Sequence, residues 1–185
     1  MPENGTLGQL KRLIATPETP ELGPGPRPGV QALAALQKQL DLIFRHPHAS
    51  MEATQLIRAI ILLWHDHLDA AHNIAQEIET TDGSYVHGIM HRREPDYGNA
   101  KYWFRRVGRH ACFQDLADEA KTKLAIEPAL QKKLVSHDEW DPFAFVDACA
   151  HVEGFPVTDP KVKLLRVIQQ AEFENLLEHF CQVES

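Results

Sequence analysis

Apolar residues recur every three or four positions along most of the chain, which is the spacing of amphipathic helices. Residues 30–44 show it clearly, because Leu33, Leu36, Leu40 and Ile43 form one apolar stripe. No segment keeps an alternation of apolar and polar residues with a period of two, so we expect no sheet. The pattern therefore predicts an all-α fold.

Capping residues and helix breakers set the ends of the predicted helices. Ser50, Ser84 and Asn99 are good N-caps, while the Asp-Pro pairs at 141–142 and 159–160 combine an N-cap with proline at the first helical position. The predicted helices span residues 7–14, 30–44, 50–80, 85–93, 99–107, 111–124, 128–135, 143–152 and 162–181. We expect an irregular helical bundle of roughly six to eight helices around one long central helix, residues 50–80.

The N-terminal segment differs from the rest in composition. Residues 16–28 contain five prolines and two glycines, which prevent a continuous helix. We therefore divide the chain into a Pro/Gly-rich arm, residues 1–28, and a single helical domain, residues 29–185. The arm is expected to add little to the core.

Composition and charge narrow the class of protein. The 185 residues are 43% hydrophobic and carry a net charge of −7, which suits a globular protein and disfavours duplex nucleic acid as a partner. The longest apolar run, residues 59–64, is too short to span a bilayer, so no membrane association is expected. Cys112, Cys149 and Cys181 are odd in number and widely spaced, which favours reduced thiols and a cytoplasmic location.

Histidines and a carboxylate form the first candidate site. His65, Asp69 and His72 share one stripe of the predicted long helix, and His87 and His91 follow at the i, i+4 spacing that places two imidazoles side by side. Such ligands suit one divalent zinc, iron or manganese ion held between helices. Alternatively, the histidines bond to one another, to Asp69 and to backbone carbonyls without an ion.

Histidines elsewhere in the chain are expected to lie mostly on the surface. Examples are His46, His48, His137, His151 and His179.

Cations and aromatic residues are concentrated just after the histidines. Arginine forks recognise carboxylates and phosphates, so this segment predicts a small anionic ligand. The residues expected to contact it are Arg92, Arg93, Tyr97, Lys101, Tyr102, Arg105 and Arg106. Two alternatives remain: Trp103, Phe104 and Val107 form core while the arginines pair with internal acids, or the surface binds single-stranded nucleic acid.

Three strings in this region carry a resemblance to a known family. They are WHDHLDAAH at residues 64–72, HGIMHRRE at 87–94 and NAKYWFRRVG at 99–108. They resemble a family of bacterial and fungal all-helical proteins with no known activity, distinctly over residues 62–117 and more weakly over 140–149. The resemblance implies a shared helical domain and nothing about a substrate.

Two functions fit these patterns. The first is a small-molecule enzyme or binding protein with a His/Asp metal site beside an anion-binding site. The second is a non-enzymatic interaction module with structural histidines, whose Arg and Tyr surface docks an acidic partner. The sequence determines neither a reaction, nor catalytic residues, nor the oligomeric state.

Overall fold

The computed structural model describes residues 5–45 and 50–182, and helices dominate them. Its elements are α1 (Thr6–Ile14), α2 (Leu33–Ile43), α3 (Met51–Trp64), α4 (Leu68–Ala75), α5 (Thr81–Arg93), α6 (Tyr97–Val107), α7 (Cys112–Lys123), α8 (Pro128–Leu134), β1 (Val135–Ser136), β2 (Glu139–Trp140), α9 (Pro142–His151) and α10 (Pro160–Gln182). The predicted all-α class is confirmed. Among the described helices, none is long and apolar enough to cross a membrane.

A small hairpin departs from the expectation of no sheet. Strands β1 and β2 pair antiparallel, with Val135 opposite Trp140. Its two-residue turn, His137 and Asp138, has backbone φ angles of 53° and 62°, the positive values that tight hairpin turns require. Two-residue strands are too short to produce a period-two pattern, so the sequence carried no signal for them.

The predicted long helix over residues 50–80 is wrong, because the chain turns between α3 and α4. Ser50 caps α3 as expected, accepting a hydrogen bond from the amide of Ala53 at 3.0 Å. The helix then ends at Trp64, and Asp66 adopts a left-handed backbone conformation with φ 62°. The Asp66 carboxylate bonds to the guanidinium groups of Arg27 and Arg93, so distant residues hold the turn.

Two other helices begin earlier than predicted. Thr80, and not Ser84, caps α5 by accepting a hydrogen bond from Gly83 at 3.2 Å. Asp96, and not Asn99, caps α6 by accepting one from the Asn99 amide at 3.1 Å. The additional turns matter for the site, because they extend both helices beside the histidines.

The N-terminal segment contributes to the core, contrary to expectation. In α1, Leu10 is fully buried within the main hydrophobic cluster, which also includes α3 and the C-terminal half of α10. In the proline-rich stretch, Thr16 accepts a hydrogen bond from the Trp64 indole at 2.9 Å, and Arg27 is buried beside Asp66. Proline prevents helix here, but it does not prevent docking through side chains and carbonyls.

Close packing of α5 on α6 positions the candidate site. Gly88 lies on the α5 face that meets α6, and a Cβ atom there would approach the Phe104 ring to 3.0 Å. Glycine therefore lets the two helices approach closely, and it is flanked along α5 by His87 and His91. This contact brings the ring of Trp103 onto the ring of His87.

Candidate metal centre

Three of the five predicted metal ligands come together. His72 on α4 and His87 and His91 on α5 each offer one ligand atom, and these atoms all lie within 4.8 Å of one another. The ring of His72 is edge-on to both others, with centroid separations of 4.9 Å to His87 and 5.6 Å to His91. We call these residues the three-histidine cluster.

The cluster is mostly buried, and burial favours the neutral form of two of its imidazoles, those of His87 and His91. His87 is 3% exposed and His91 7%, while His72 is half-buried. Burial, and then the proximity of His91 and His72, lower the pKa of His87 from 6.5 to about 4. Burial also lowers the pKa of His91, although Glu94 and Asp96 oppose the shift. Neutral imidazoles have lone pairs available for a metal near neutral pH.

Within the described part of the chain, the cluster contains a buried ring nitrogen without a hydrogen-bond partner. Nδ1 of His87 is buried and forms no hydrogen bond to any described residue. A buried polar atom without a partner costs about 1 to 3 kcal/mol, so its position among three imidazoles calls for an explanation. A metal ion bound by this ring would provide one.

Polar neighbours orient His91. The Glu94 carboxylate lies 3.3 Å from Nδ1 of His91, and the Asn99 amide lies 3.1 Å from its Nε2. Both ring nitrogens of His91 therefore have a polar neighbour, so an ion bound at Nε2 would displace the Asn99 amide while Glu94 accepts the hydrogen bond from Nδ1. Glu94 and Asn99 were not predicted as site residues. Glu94 lies three positions after His91 at the end of α5, and Asn99 lies eight positions after it on α6.

The other two predicted ligands lie elsewhere. His65 accepts a hydrogen bond from the Gln31 amide at Nδ1 (3.2 Å), so its Nε2 carries the proton donated to the Leu13 carbonyl (2.9 Å). Both nitrogens are therefore used, and burial lowers the pKa of this histidine. Asp69 is exposed in the first turn of α4 and is not among the grouped ligand atoms. The break after Trp64 is what separates His65 from His72.

Two of the predicted anion-binding arginines are buried in internal ion pairs. Arg92 is fully buried and forms two hydrogen bonds with the Glu172 carboxylate, at 3.1 and 2.5 Å. Arg93 is also fully buried, and it donates to the carboxylate of Asp66 at 2.6 Å and to the carbonyl of Leu63. The alternative in which arginines pair with internal acids therefore describes these two residues.

The remaining predicted anion-binding residues are spread over α6. Lys101 forms an ion pair with Asp147 at 2.5 Å. The other four are Tyr97, which is half-buried, and Tyr102, Arg105 and Arg106, which are exposed. The Arg106 guanidinium lies 5.3 Å from the centre of the Trp103 ring, and Trp103 stacks on His87 at 4.0 Å. Of the exposed cations, Arg106 is thus linked to the three-histidine cluster through one aromatic ring.

A second group of potential ligands was missed from the sequence. His110, Cys112 and His179 also offer ligand atoms within 4.8 Å of one another, and His179, expected at the surface, is only partly exposed. However, Nδ1 of His110 accepts the Cys112 amide at 3.1 Å, so its Nε2 carries the proton shared with Asp82 at 2.7 Å. Burial also raises the pKa of the Cys112 thiol to about 12. These groups satisfy one another, which makes them the weaker metal candidate.

Four other histidines need only brief mention. His137 and His151 are exposed, as expected, and His46 and His48 lie outside the described residues.

The fold and the cluster together define a helical protein with three convergent imidazoles. No family model matches the chain, and no curated protein or solved structure is significantly similar to it. The resemblance to the bacterial and fungal family stays a prediction.

Proposed function

We propose that the protein binds one divalent transition-metal ion through His72, His87 and His91, and that it is a small-molecule enzyme or binding protein. The observation that carries the proposal is the buried Nδ1 of His87, which has no hydrogen-bond partner among the described residues and lies within a group of three convergent imidazoles. A cytoplasmic location, expected from the composition, is part of the proposal.

The ligand set favours particular metals and leaves room for a ligand. Imidazoles suit zinc, iron and other first-row metals. Three protein ligands are the number found in catalytic zinc sites, which keep a further position open, whereas structural zinc sites have four. Bound there, the ion would act as a Lewis acid toward a carbonyl or phosphoryl oxygen. His72 is the half-buried member, so solvent or a small molecule reaches the cluster from its side.

The small anionic ligand expected from the sequence remains a proposal with a narrower set of residues. Arg92 and Arg93 are committed to buried carboxylates, and Lys101 pairs with Asp147. Arg106 is the exposed cation that contacts Trp103 beside the cluster. A carboxylate or phosphate that approaches the metal would gain a charge-assisted hydrogen bond from Arg106.

A non-enzymatic interaction module is the second candidate, and one observation favours it. The rings of Trp103 and His87 are stacked, 4.0 Å apart with an interplanar angle of 6°, and His91 is stacked on His87 in turn. Such stacking is a structural reason to keep histidines at a helix interface. In this case the exposed face of α6, with Tyr102 and Arg105, would dock an acidic partner.

Metal analysis separates the two candidates. Protein purified without a chelator or an affinity tag is expected to contain about one zinc, iron or manganese ion per chain, as measured by inductively coupled plasma mass spectrometry. His87→Ala should lose the ion, whereas His151→Ala, which changes an exposed histidine outside the cluster, should keep it.

A second pair of variants tests the neighbours of the ligands. Glu94→Gln removes the charge beside Nδ1 of His91 and is expected to weaken metal affinity by about 10- to 100-fold, as is usual for partners of a ligating histidine. Asp69→Asn, an exposed acid on α4, should leave the affinity unchanged. Metal-free native protein that also fails to bind added zinc would contradict the proposal and favour the interaction module.

The buried histidines should determine how strongly acid lowers the free energy of unfolding of the metal-free protein. Between pH 6.5 and about 4 the unfolded chain protonates at His87 and the folded chain does not, so the free energy of unfolding should fall as the pH falls through this range. The lowered pKa values of His65 and His91 act in the same direction. Urea titrations in EDTA at several pH values would measure the slope.

His87→Gln should reduce that slope, because one of the groups that protonates only on unfolding is gone. His151→Gln changes an exposed histidine and should not alter it. An unchanged slope in His87→Gln would show that this imidazole is not held neutral by its surroundings.

A further inference from the structure

A surface groove of about 680 Å³ lies between α8, α9 and α10, and it shares no residue with the three-histidine cluster. Its volume falls within the range of small-molecule sites, roughly 300 to 1,000 Å³. Its apolar lining includes Ile126, Leu130, Val152, Leu164, Leu165 and Val167.

Part of this apolar lining is exposed to solvent. Ile126 is 82% exposed and Val167 is 38% exposed, which places two branched aliphatic side chains at the surface of one groove. Large exposed aliphatic side chains that line one depression mark a binding surface more often than scattered ones do. The groove therefore favours a ligand with a hydrocarbon body.

The polar lining of the groove is mainly basic. Lys133, Lys161 and Lys163 line it and are exposed, against a single acid, Glu127. None of the three lysines forms an ion pair with a described residue, whereas Lys101 pairs with Asp147. In a chain with a net charge of −7, this local surplus of cations is complementary to an anion.

The position of two of these lysines strengthens the charge argument. Lys161 and Lys163 lie in the first turn of α10, whose N-terminal dipole is offset only in part by Asp159, because the Asp159 carboxylate accepts the Lys161 amide at 2.8 Å. The N-terminus of a helix carries partial positive charge, so cations there are unfavourable by a few tenths of a kcal/mol or more. An anion bound beside them would offset this repulsion.

We propose that this groove binds an anionic amphiphile, that is, an alkyl or acyl chain that ends in a carboxylate. The chain packs on the aliphatic lining, and the carboxylate contacts Lys133, Lys161 or Lys163. A hydrocarbon chain matches the aliphatic lining of the groove, and a single carboxylate matches its surplus of lysines.

Calorimetric titration with decanoate at pH 8, below its micellar concentration, tests the proposal on the full chain. We expect saturable binding of one decanoate per chain and much weaker binding of 1-decanol, which has the same chain length without the charge. The triple variant Lys133→Ala, Lys161→Ala, Lys163→Ala should weaken decanoate binding by about tenfold or more, the value of one charge-assisted contact.

Two further variants test a lysine outside the groove and the apolar lining of the groove. Lys132→Ala changes the lysine next to Lys133 that does not line the groove, and it should bind decanoate as the native chain does. Ile126→Asp replaces a largely exposed side chain, so the fold should survive while decanoate affinity falls. Circular dichroism of each variant would show that the helices are retained.

Several results would overturn the proposal. These are equal affinity for 1-decanol and decanoate, unchanged decanoate affinity in both the lysine and Ile126 variants, or binding of an acidic Leu/Glu amphipathic peptide without binding of decanoate. A native dimer that Ile126→Asp converts to monomer in sedimentation experiments would also overturn it, because a second copy would then cover the groove. Each readout is independent of the metal content of the protein.

Discussion

Replacing Asp66 with alanine is expected to lower the free energy of unfolding by about 3 to 5 kcal/mol or more, because the variant leaves two buried guanidinium groups without a counter-charge. The Asp66 carboxylate lies 2.8 Å from Nη1 of Arg27 and 2.6 Å from Nη2 of Arg93. Both arginines are at least 97% buried, and burial lowers the pKa of each while Asp66 opposes the shift.

The backbone adds to this effect. Asp66 has a positive φ of 62°, a conformation that aspartate and asparagine adopt more readily than alanine. Its carboxylate also accepts the Arg27 amide at 2.9 Å, which ties the N-terminal segment to the turn between α3 and α4. Loss of the Asp66 side chain therefore destabilises the turn, detaches the N-terminal segment from it and leaves the two buried arginines without a counter-charge.

Urea-induced unfolding, followed by circular dichroism, measures the change. Asp66→Asn keeps the tolerance for positive φ and an oxygen that can accept hydrogen bonds but removes the charge, so the difference between the native chain and the asparagine variant reports mainly the loss of charge. Asp69→Ala, three residues later on the exposed side of α4, should change the free energy of unfolding by no more than about 0.5 kcal/mol. An Asp66→Asn variant as stable as the native chain would show that the carboxylate does not neutralise the two arginines.

This turn also shows how far the sequence predicts the fold. Helix positions follow from apolar spacing and capping residues, so most of the predicted helices are present with small shifts at their ends. The end of α3 could not be predicted, since residues 64–68 contain no glycine or proline. What ends the helix is the tertiary bonding of His65 and Asp66 to residues more than 25 positions away.

The candidate site was predictable to the extent that it is local. The i, i+4 spacing identified His87 and His91, and His72 was found on the preceding helical stripe. His65 was included wrongly because the stripe assumed an unbroken helix. Asn99 and Trp103 are brought to the cluster by the contact of α5 with α6, which spacing within one helix does not reveal, whereas Glu94 lies at i+3 from His91 and helical spacing could have identified it.

The burial of Arg92 and Arg93, which were predicted to contact a ligand, also depends on residues that are distant in the sequence. Charged residues are rarely buried unless they are paired, so a run of cations is normally read as solvent-exposed. The partner of Arg92 is Glu172, 80 residues later, and a single sequence gives no sign that α10 will place a carboxylate there. Burial of this pair is a property of the assembled helices.

Removing either side chain of the Arg92–Glu172 pair is the second change with a large expected effect. Both side chains are fully buried, and the carboxylate binds the guanidinium at two points, 3.1 and 2.5 Å. Gln169 accepts a further hydrogen bond from Arg92 at 3.3 Å, and the guanidinium lies 4.4 Å from the centre of the Phe145 ring. The pair thus connects α5, α9 and α10.

Glu172→Ala should lower the free energy of unfolding by about 3 to 5 kcal/mol, since Arg92 keeps its charge in an apolar environment and loses its counter-ion. Arginine keeps its proton in proteins, so the guanidinium stays charged in this variant although Glu172 no longer opposes the lowering of the Arg92 pKa by burial. Arg92→Met leaves an unpaired buried carboxylate and should cost a similar amount.

The double variant Arg92→Met, Glu172→Leu distinguishes an unpaired charge from lost packing. Because apolar residues of similar volume often replace a buried ion pair without loss, we expect it to recover most of the stability that either single variant loses. Glu174→Ala, a partly exposed carboxylate on the same helix, should cost less than about 1 kcal/mol. Urea titrations of the native chain, Arg92→Met, Glu172→Leu and the double variant form a closed cycle that measures the coupling between Arg92 and Glu172. A double variant as unstable as the sum of the single ones would show that shape, and not charge pairing, makes these two positions important.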